Sequence, residues 1–307
     1  MKTKLKVTSA VFCTVIFASL LALSGCDGEP ESGSSTPSSQ TTSTVSDPVV
    51  SFGSEPVSST VSEPSRVSSD TSAVSSSLSV DPANQIAGAV KESPKVDSSY
   101  FDDAVFIGDS VSNKLKLYAT RQRKTDPSCL GKAQFLTAGS LGIHNALWDI
   151  NRSDSVHPAY EGKKALLEDS IAAMKAKKVY IMLGMNDIAV YGIDDSVKSM
   201  ETLINNILAK SPDANIYIQS ATPILTGFEG KKLNNAALTE YNQKMAQFCQ
   251  EKGYAFVDVA SVMKDENGNL IRAYCSDYDT TNPDNQGIHF TDEGCKVWID
   301  YLYTHTV

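Results

Sequence analysis

The 307-residue chain is 41% hydrophobic and 21% charged, a composition that is typical of a globular protein rather than a membrane bundle or a fibre. Acidic residues outnumber basic ones by 36 to 27, and the formal net charge is −9. A chain of that sign repels phosphate polyanions, so we do not expect it to bind nucleic acid.

The N-terminus predicts a secretion signal that ends in a lipid anchor. Three lysines precede an apolar run, and the run ends in Leu23-Ser24-Gly25-Cys26. This pattern resembles a bacterial lipoprotein signal peptide, in which residues 1–25 are removed and a lipid is attached to Cys26. The run is short for a membrane span, which needs about 20 residues. We therefore expect a mature chain that is held by its lipid on the extracytoplasmic face of the cell membrane.

The next segment, residues 26–95, is rich in Ser, Thr, Pro and Val and shows neither a helical nor a strand period. Such a segment buries too little apolar surface to offset the entropy that is lost on ordering. We predict a disordered tether over residues 26–95 and one folded domain over residues 96–307.

From residue 96 onward, short apolar runs alternate with amphipathic stretches. The apolar runs predict strands over residues 104–108, 134–137, 178–184, 214–220 and 255–259. Helical spacing predicts helices over residues 160–177, 196–210, 233–252 and 292–305, and another that begins at residue 111. Largely apolar strands that alternate with helices predict an α/β domain whose parallel sheet is covered on both faces. The site of such a domain lies at the carboxyl ends of the strands.

Four short sequence blocks place candidate catalytic residues at those strand ends. Ser110 lies in Gly-Asp-Ser, where the first strand ends and a helix begins, so free helical N–H groups would favour a developing oxyanion. Gly139 and Asn186 follow the second and third strands, and His289 precedes the last helix. These residue types predict a hydroxyl nucleophile, an imidazole base and amide donors around one crevice.

In this order, the four blocks resemble the SGNH, or GDSL, hydrolase family over about residues 100–305. The resemblance implies a three-layer α-β-α sandwich with a five-stranded parallel sheet in flavodoxin-like order. It implies Ser110 as nucleophile and His289 as general base. It also implies an oxyanion hole formed by the N–H groups of Ser110 and Gly139 and the side chain of Asn186. No metal or organic cofactor is implied, and we expect a monomer that acts on a small-molecule or glycan ester.

One position departs from the family pattern. The family usually has an aspartate three residues before the histidine, but Gln286 occupies that position here. Asp284 is our first candidate for orienting the imidazole, and Asp277, Asp279, Gln286 or a backbone carbonyl are the alternatives. Loss of charge at the third member of a triad can lower the rate about 10⁴-fold, so a slow or inactive enzyme stays open.

A rival nucleophile, Ser140, lies in Ala138-Gly139-Ser140-Leu141-Gly142. This sequence is an imperfect version of the G-x-S-x-G elbow of α/β-hydrolases. The first glycine of that motif is an alanine here, and the domain is short for that fold. We therefore prefer the serine of the Gly-Asp-Ser block.

Four cysteines fall in the predicted domain, namely Cys129, Cys249, Cys275 and Cys295. They allow three complete disulfide pairings, and an extracytoplasmic location would permit any of them. Their spacing favours none of the three.

The sequence thus predicts a serine esterase that removes short acyl groups, such as acetyl, from a surface or extracellular glycan. The anchor and the tether favour a substrate at the cell surface, and no broad apolar segment suggests a lid for long lipids. The alternatives are a lipase, lysophospholipase or thioesterase that acts on longer acyl chains, a catalytically impaired glycan-binding protein, and an acyltransferase to sugar.

Overall fold

The computed structural model of the protein describes residues 84–307. The predicted signal peptide, Cys26 and most of the predicted tether lie outside the described residues. The strands are β1 (Ala104–Gly108), β2 (Gln134–Thr137), β3 (Ala159–Tyr160), β4 (Lys163–Lys164), β5 (Lys178–Met182), β6 (Asn215–Gln219) and β7 (Ala255–Val257). The α-helices are α1 (Ser110–Gln122), α2 (Ile143–Ala146), α3 (Leu167–Met174), α4 (Ile188–Tyr191), α5 (Ile193–Lys210), α6 (Asn235–Lys252) and α7 (Asp292–Thr304). In this part of the chain, no helix is long and apolar enough to cross a membrane.

Five strands form one parallel sheet in the order β2-β1-β5-β6-β7. Apart from the small antiparallel β3–β4 hairpin, this is the flavodoxin-like order that the resemblance implies, so the predicted fold class is confirmed. All five predicted strands are present, each to within two residues at either end. The strand order reverses between β1 and β5, and the crevice at such a reversal is where an open α/β sheet binds its ligands.

Helices cover the two faces of the sheet. Helix α1 packs beside α7, whereas α5 packs between α3 and α6. Right-handed crossovers between parallel strands place α3, α5 and α6 together on one face, because all three connections run in the same direction across the sheet. The chain therefore forms the three-layer sandwich that its alternating pattern predicts.

An aromatic ladder crosses the middle of the sheet. Phe106, Tyr180 and Tyr217 are register partners on β1, β5 and β6. Their rings stack with centroid distances of 4.7 and 4.4 Å, and Phe135 on β2 extends the stack at 5.5 Å. Because each large ring covers its neighbour, these pairs fix the register that brings the strand ends level.

The predicted helix over residues 160–177 is wrong in its first half. Residues 159–164 form the β3–β4 hairpin, and α3 begins only at Leu167. The two turn residues, Glu161 and Gly162, have φ of 48° and 77°, which is the left-handed conformation of a tight hairpin turn. The short helices α2 and α4 are absent from the sequence prediction because four residues carry too little periodicity.

The folded domain begins inside the segment that was predicted to be tether. The N–H of Ile86 donates to the Asp258 carboxylate at 3.1 Å, and that of Val90 donates to the carbonyl of Phe256 at 2.8 Å. The N–H of Val96 donates to the carbonyl at position 303, near the end of α7. Val90 thus bonds the outer edge of β7, where an unpaired backbone carbonyl would otherwise be exposed, and the segment on either side of it is held by Asp258 and by the end of α7.

The four cysteines of the domain are buried and free. None of the three possible pairings is therefore formed. Burial raises the pKa of the Cys249, Cys275 and Cys295 thiols to about 12, so these thiols stay protonated and unreactive at neutral pH.

Candidate active site

Ser110 is the first residue of α1 and follows β1 after a single intervening residue, Asp109. The Asp109 carboxylate caps the helix by accepting the N–H of Val111 at 2.9 Å. Gly108 makes the tight strand-to-helix turn possible, because a Cβ there would lie 2.0 Å from the Ser112 hydroxyl oxygen. The Ser110 hydroxyl is thus held at the carboxyl edge of the sheet and at a helix N-terminus.

The structure brings Ser110 and His289 together across 179 residues of sequence. The Oγ of Ser110 lies 2.9 Å from the Nε2 of His289, and the histidine side chain is 17% exposed. The two residues meet because β1 and the segment before α7 both end at the same edge of the sheet. This distance is within the reach that proton transfer requires.

Asp277 holds the other side of the imidazole. Its Oδ2 lies 2.6 Å from the Nδ1 of His289. The backbone N–H groups of Gln286, Ile288 and His289 also donate to this carboxylate, at 3.0–3.1 Å. Burial, the largest single effect, raises the pKa of Asp277, but the hydrogen bonds from the His289 ring and from the N–H groups of His289 and Gln286 outweigh it. The pKa of Asp277 is therefore well below its usual value, and the carboxylate is charged at neutral pH.

The expectation that Asp284 orients the ring is wrong, because Asp277 occupies that place. Asp284 is exposed and lies in a turn, while the Asp279 carboxylate accepts hydrogen bonds from its own loop at position 281. Gln286 approaches Asp277 with its backbone alone. Gly287, at φ 65°, donates its N–H to the carbonyl of Asp277 and folds the loop back on itself. The separation of twelve positions between Asp277 and His289 leaves no local motif that would reveal the pair.

The three predicted oxyanion donors near this serine differ in whether another protein group already accepts their hydrogen bonds. Among residues 84–307, no protein acceptor takes the N–H of Ser110 or of Gly139. The Nδ2 of Asn186 instead donates to the carbonyl of Leu141 at 3.1 Å and to the Oδ2 of Asp109 at 3.3 Å. Two backbone donors are therefore free, and the amide donor links the turns that carry them.

Asp109 connects the nucleophile's helix to this amide. It is 2% exposed, and its two oxygens face the N–H of Val111 and the side chain of Asn186. Burial raises the pKa of Asp109 to about 6, and the hydrogen bond from Val111 opposes the rise. A buried carboxylate at this place holds two separate turns of the site in fixed relation.

A second buried carboxylate, Asp187, fixes the loop that carries Gly139. It accepts the N–H groups of Ile143 and His144 at 2.8 and 3.0 Å, at the start of α2. It also lies 2.9 Å from the Nδ1 of His144, whose Nε2 lies 3.1 Å from the Ser199 hydroxyl. The structure thus contains a second carboxylate–imidazole–hydroxyl chain beside the first.

Ser140 has no base. It sits in an exposed turn at φ 59°, and its carbonyl accepts the side-chain amide of Asn145 at 2.8 Å. No histidine in the described part of the chain contacts its hydroxyl. The rival nucleophile therefore lacks the partner that its chemistry needs.

The contacts around Ser110 form a hydrogen-bonded chain from hydroxyl to imidazole to carboxylate, next to free backbone donors. That arrangement suits acyl transfer through a serine. Between residues 84 and 307, no group of three His, Cys, Asp or Glu side chains is arranged to hold a metal ion.

Comparison with known proteins agrees with this geometry. The sequence profile of the GDSL-like lipase/acylhydrolase family matches residues 106–297, which include Ser110, Asn186, Asp277 and His289. No curated protein matches the chain.

Solved structures resemble the chain at low sequence identity. A putative acylhydrolase from Bacteroides fragilis is 17% identical, with 65% of this chain and 83% of that chain covered and a TM-score of 0.47. A catalytic mutant of an acetylxylan esterase from Geobacillus stearothermophilus is 14% identical, with 71% and 99% covered and a TM-score of 0.44. The periplasmic domain of a lipopolysaccharide acetyltransferase from Salmonella ser. Paratyphi A is 15% identical, with 65% and 82% covered and a TM-score of 0.47.

Proposed function

The chain belongs to the GDSL-like lipase/acylhydrolase family and is a carboxylic ester hydrolase, and we propose that it works through an acyl-enzyme on Ser110. The observation that supports this most directly is the 2.9 Å contact between the Ser110 hydroxyl and the Nε2 of His289, beside two backbone N–H groups that have no acceptor within residues 84–307. A serine with a base and free donors is the arrangement that acyl transfer requires.

In the proposed mechanism, the Nε2 of His289 takes the proton of Ser110 as its Oγ attacks the ester carbonyl. The charged Asp277 carboxylate stabilises the imidazolium that forms. The alcohol leaves with the proton from Nε2, and the acyl group remains on Ser110. Water then attacks the acyl-enzyme with His289 again as base, which releases the carboxylic acid and restores the serine.

We propose that the N–H groups of Ser110 and Gly139 hold the oxyanion, together with the side chain of Asn186. In the free enzyme both hydrogens of the Asn186 amide are engaged, and the 3.3 Å contact with Asp109 is the longer of the two. As charge develops, that N–H would turn from Asp109 to donate its hydrogen bond to the oxyanion. Removing one donor of an oxyanion hole costs about 10²–10³ in kcat in hydrolases of this chemistry.

We propose short acyl groups, such as acetyl on a glycan, as the substrate. Large hydrophobic side chains that are exposed number only five among residues 84–307, and no broad apolar face is present for a long acyl chain. Hydrolysis of longer acyl chains and acyl transfer to a sugar are the alternatives. Gln286 in place of the usual aspartate suggested an impaired enzyme, but Asp277 supplies a carboxylate next to the His289 imidazole.

A chain-length series of p-nitrophenyl esters tests the reaction and the acyl preference together. We expect the highest kcat/KM on acetate and a steep fall beyond butyrate. Ser110→Ala should abolish both turnover and covalent labelling by a fluorophosphonate, whereas Ser140→Ala should keep both. A preference for long chains would favour the lipase alternative, and labelling that survives in Ser110→Ala would refute the assignment of the nucleophile.

We also propose that a lipid on Cys26 holds the enzyme at the outer face of the cell membrane. The sequence Leu23-Ser24-Gly25-Cys26 after a basic, apolar N-terminus supports this. Expressed in its bacterial host, the chain should incorporate labelled fatty acid and fractionate with membranes. Cys26→Ser should lose the label and leave the membrane fraction, and equal labelling of both chains would contradict the proposal.

A further inference from the structure

One exposed aromatic side chain lies about one helical turn after Asn186, which follows the end of β5. Tyr191 is the last residue of α4, is 41% exposed, and donates its N–H to the carbonyl of Asp187 at 2.8 Å. Asp187 directly follows Asn186 in the chain. The backbone of Tyr191 therefore lies about one helical turn, a rise of ~5.4 Å, from that of the residue beside the proposed amide donor.

Tyr191 is held by groups that the proposed mechanism does not use. Its ring stacks on the His144 imidazole with the centroids 3.6 Å apart and the planes at 13°. His144 is itself fixed, because its two ring nitrogens contact Asp187 at 2.9 Å and Ser199 at 3.1 Å. A ring that is already immobile loses little further side-chain entropy when a ligand covers it.

Tyr191 also lines an open cleft of about 530 Å³ between the α4–α5 segment and α6. Val190, which is 68% exposed, adds apolar surface to the cleft. The charged side chains that line the cleft are Asp194, Lys232, Glu240 and Lys244. Ile188, Ile193 and Ala237 also line the cleft. An acyl chain would need a continuous apolar wall, whereas a wall that mixes an aromatic ring and aliphatic side chains with charged hydrogen-bonding groups suits a polyhydroxylated ring.

We propose that Tyr191 is the stacking platform of a sugar subsite, which binds a pyranose ring of the glycan whose ester Ser110 hydrolyses. The proposal rests on the esterase function above and extends it to the alcohol part of the substrate. The apolar C–H face of the sugar covers the tyrosine ring, and its hydroxyls bond to Asp194 and Glu240. The Asp187 carboxylate bonds His144, and its backbone carbonyl accepts the N–H of Tyr191, so the residue next to Asn186 in the chain holds both parts of the subsite.

The test compares two acetyl esters on the full chain: partially acetylated xylohexaose and p-nitrophenyl acetate. Tyr191→Ala should lower kcat/KM on the acetylated hexaose about tenfold more than on p-nitrophenyl acetate, chiefly through KM, since an aromatic contact of this kind is worth about tenfold in affinity. Tyr191→Phe keeps the ring and should stay within about threefold of the wild type. Leu117→Ala, an exposed apolar residue on α1, should match the wild type on both substrates.

Three results would overturn the subsite. One is an equal loss on both esters in Tyr191→Ala, and another is a loss in Tyr191→Phe as large as that in Tyr191→Ala. The third is a selective loss on p-nitrophenyl esters of long acids, which would make the cleft an acyl site.

Calorimetry separates failure of the subsite from failure of the esterase. Ser110→Ala should bind the acetylated hexaose, and Ser110→Ala combined with Tyr191→Ala should bind it about tenfold more weakly. A wild type without esterase activity would refute the proposed function. The affinities of these two variants for the hexaose would still show whether Tyr191 binds the sugar. Equal affinities, or no binding by either variant, would overturn it.

Discussion

Two carboxylate–imidazole–hydroxyl chains lie in this domain, and they differ in what surrounds the hydroxyl. Asp277, His289 and Ser110 are joined at 2.6 and 2.9 Å, and the second chain, which begins at Asp187, has contacts of 2.9 and 3.1 Å. Measured by distances alone, the two are nearly equivalent.

Their serines occupy different places in the helices that carry them. Ser110 is the first residue of α1, so its N–H is free to stabilise an oxyanion. Ser199 lies in the middle of α5, where backbone N–H groups are used by the helix, and its histidine is covered by Tyr191. A serine that is hydrogen-bonded to a carboxylate–imidazole pair therefore still needs free N–H donors beside its hydroxyl to act as a nucleophile in acyl transfer.

Replacing each histidine should give the largest contrast between the two chains. His289→Ala should lower kcat on p-nitrophenyl acetate by about 10⁴–10⁶, as expected when the base of a serine triad is lost. His144→Ala should instead lower the free energy of unfolding by about 1–3 kcal/mol, because it removes the ring that bonds the buried Asp187 carboxylate and stacks on Tyr191. Steady-state kinetics and urea denaturation of both variants measure the two effects. Equal losses of kcat would contradict the claim that His289 alone serves the chemistry.

Replacing the carboxylate of the first chain should give the next largest effect. Asp277→Asn should lower kcat about 10⁴-fold, because the imidazolium loses its charged partner and the tautomer is no longer fixed. Asp284→Asn is the matched control in the same loop and should match the wild type, since Asp284 is exposed. Kinetics at one pH suffices, with circular dichroism as the check on folding. An active Asp277→Asn would return the third member of the triad to doubt.

The carboxylate of the second chain should matter for stability more than for chemistry. Asp187→Asn should lower the free energy of unfolding by about 1–3 kcal/mol, because the Asp187 charge accepts two N–H groups at the start of α2 from a site that is 1% exposed. Asp213→Asn removes an ion pair with Lys177 at the surface and should change stability by less than about 1 kcal/mol. Urea denaturation compares the two variants, and an unchanged free energy of unfolding in Asp187→Asn would count against a structural role for Asp187.

The pH dependence of stability should separate Asp109 from Asp277. Burial raises the pKa of Asp109 to about 6 from 3.8, so the folded chain takes up a proton that the unfolded chain releases. The free energy of unfolding should therefore gain about 1 kcal/mol from this group as the pH falls from 7 to 5. The pKa of Asp277 is lowered instead, so its contribution is present above pH 4 and is lost only in more acidic solution.

Asp109→Asn isolates this effect, because asparagine still caps a helix but does not titrate. Urea denaturation of the wild type and the variant at pH 7 and pH 5 gives two differences in stability. The wild type should gain about 1 kcal/mol on the variant at the lower pH. The same difference at both values would show that Asp109 does not titrate in this range.

The sequence by itself determined the fold class and the neighbourhood of the site. Apolar runs and helical periods are local properties, and they marked the five strands and four of the longer helices. Ser110, Gly139, Asn186 and His289 each stand at a strand or helix end, so the order of elements was enough to place them at one edge of the sheet.

Only the tertiary structure decided which groups complete that neighbourhood. Asp277 reaches His289 through a folded loop, and residues 86–96 are held by contacts with β7, Asp258 and the end of α7 rather than by their own composition. The cysteines are buried and unpaired, and Tyr191 becomes a rigid surface because His144 lies beneath it. Contacts of this kind join residues that are far apart in the sequence at no regular spacing, so no local sequence pattern predicts them. They form only when the domain packs.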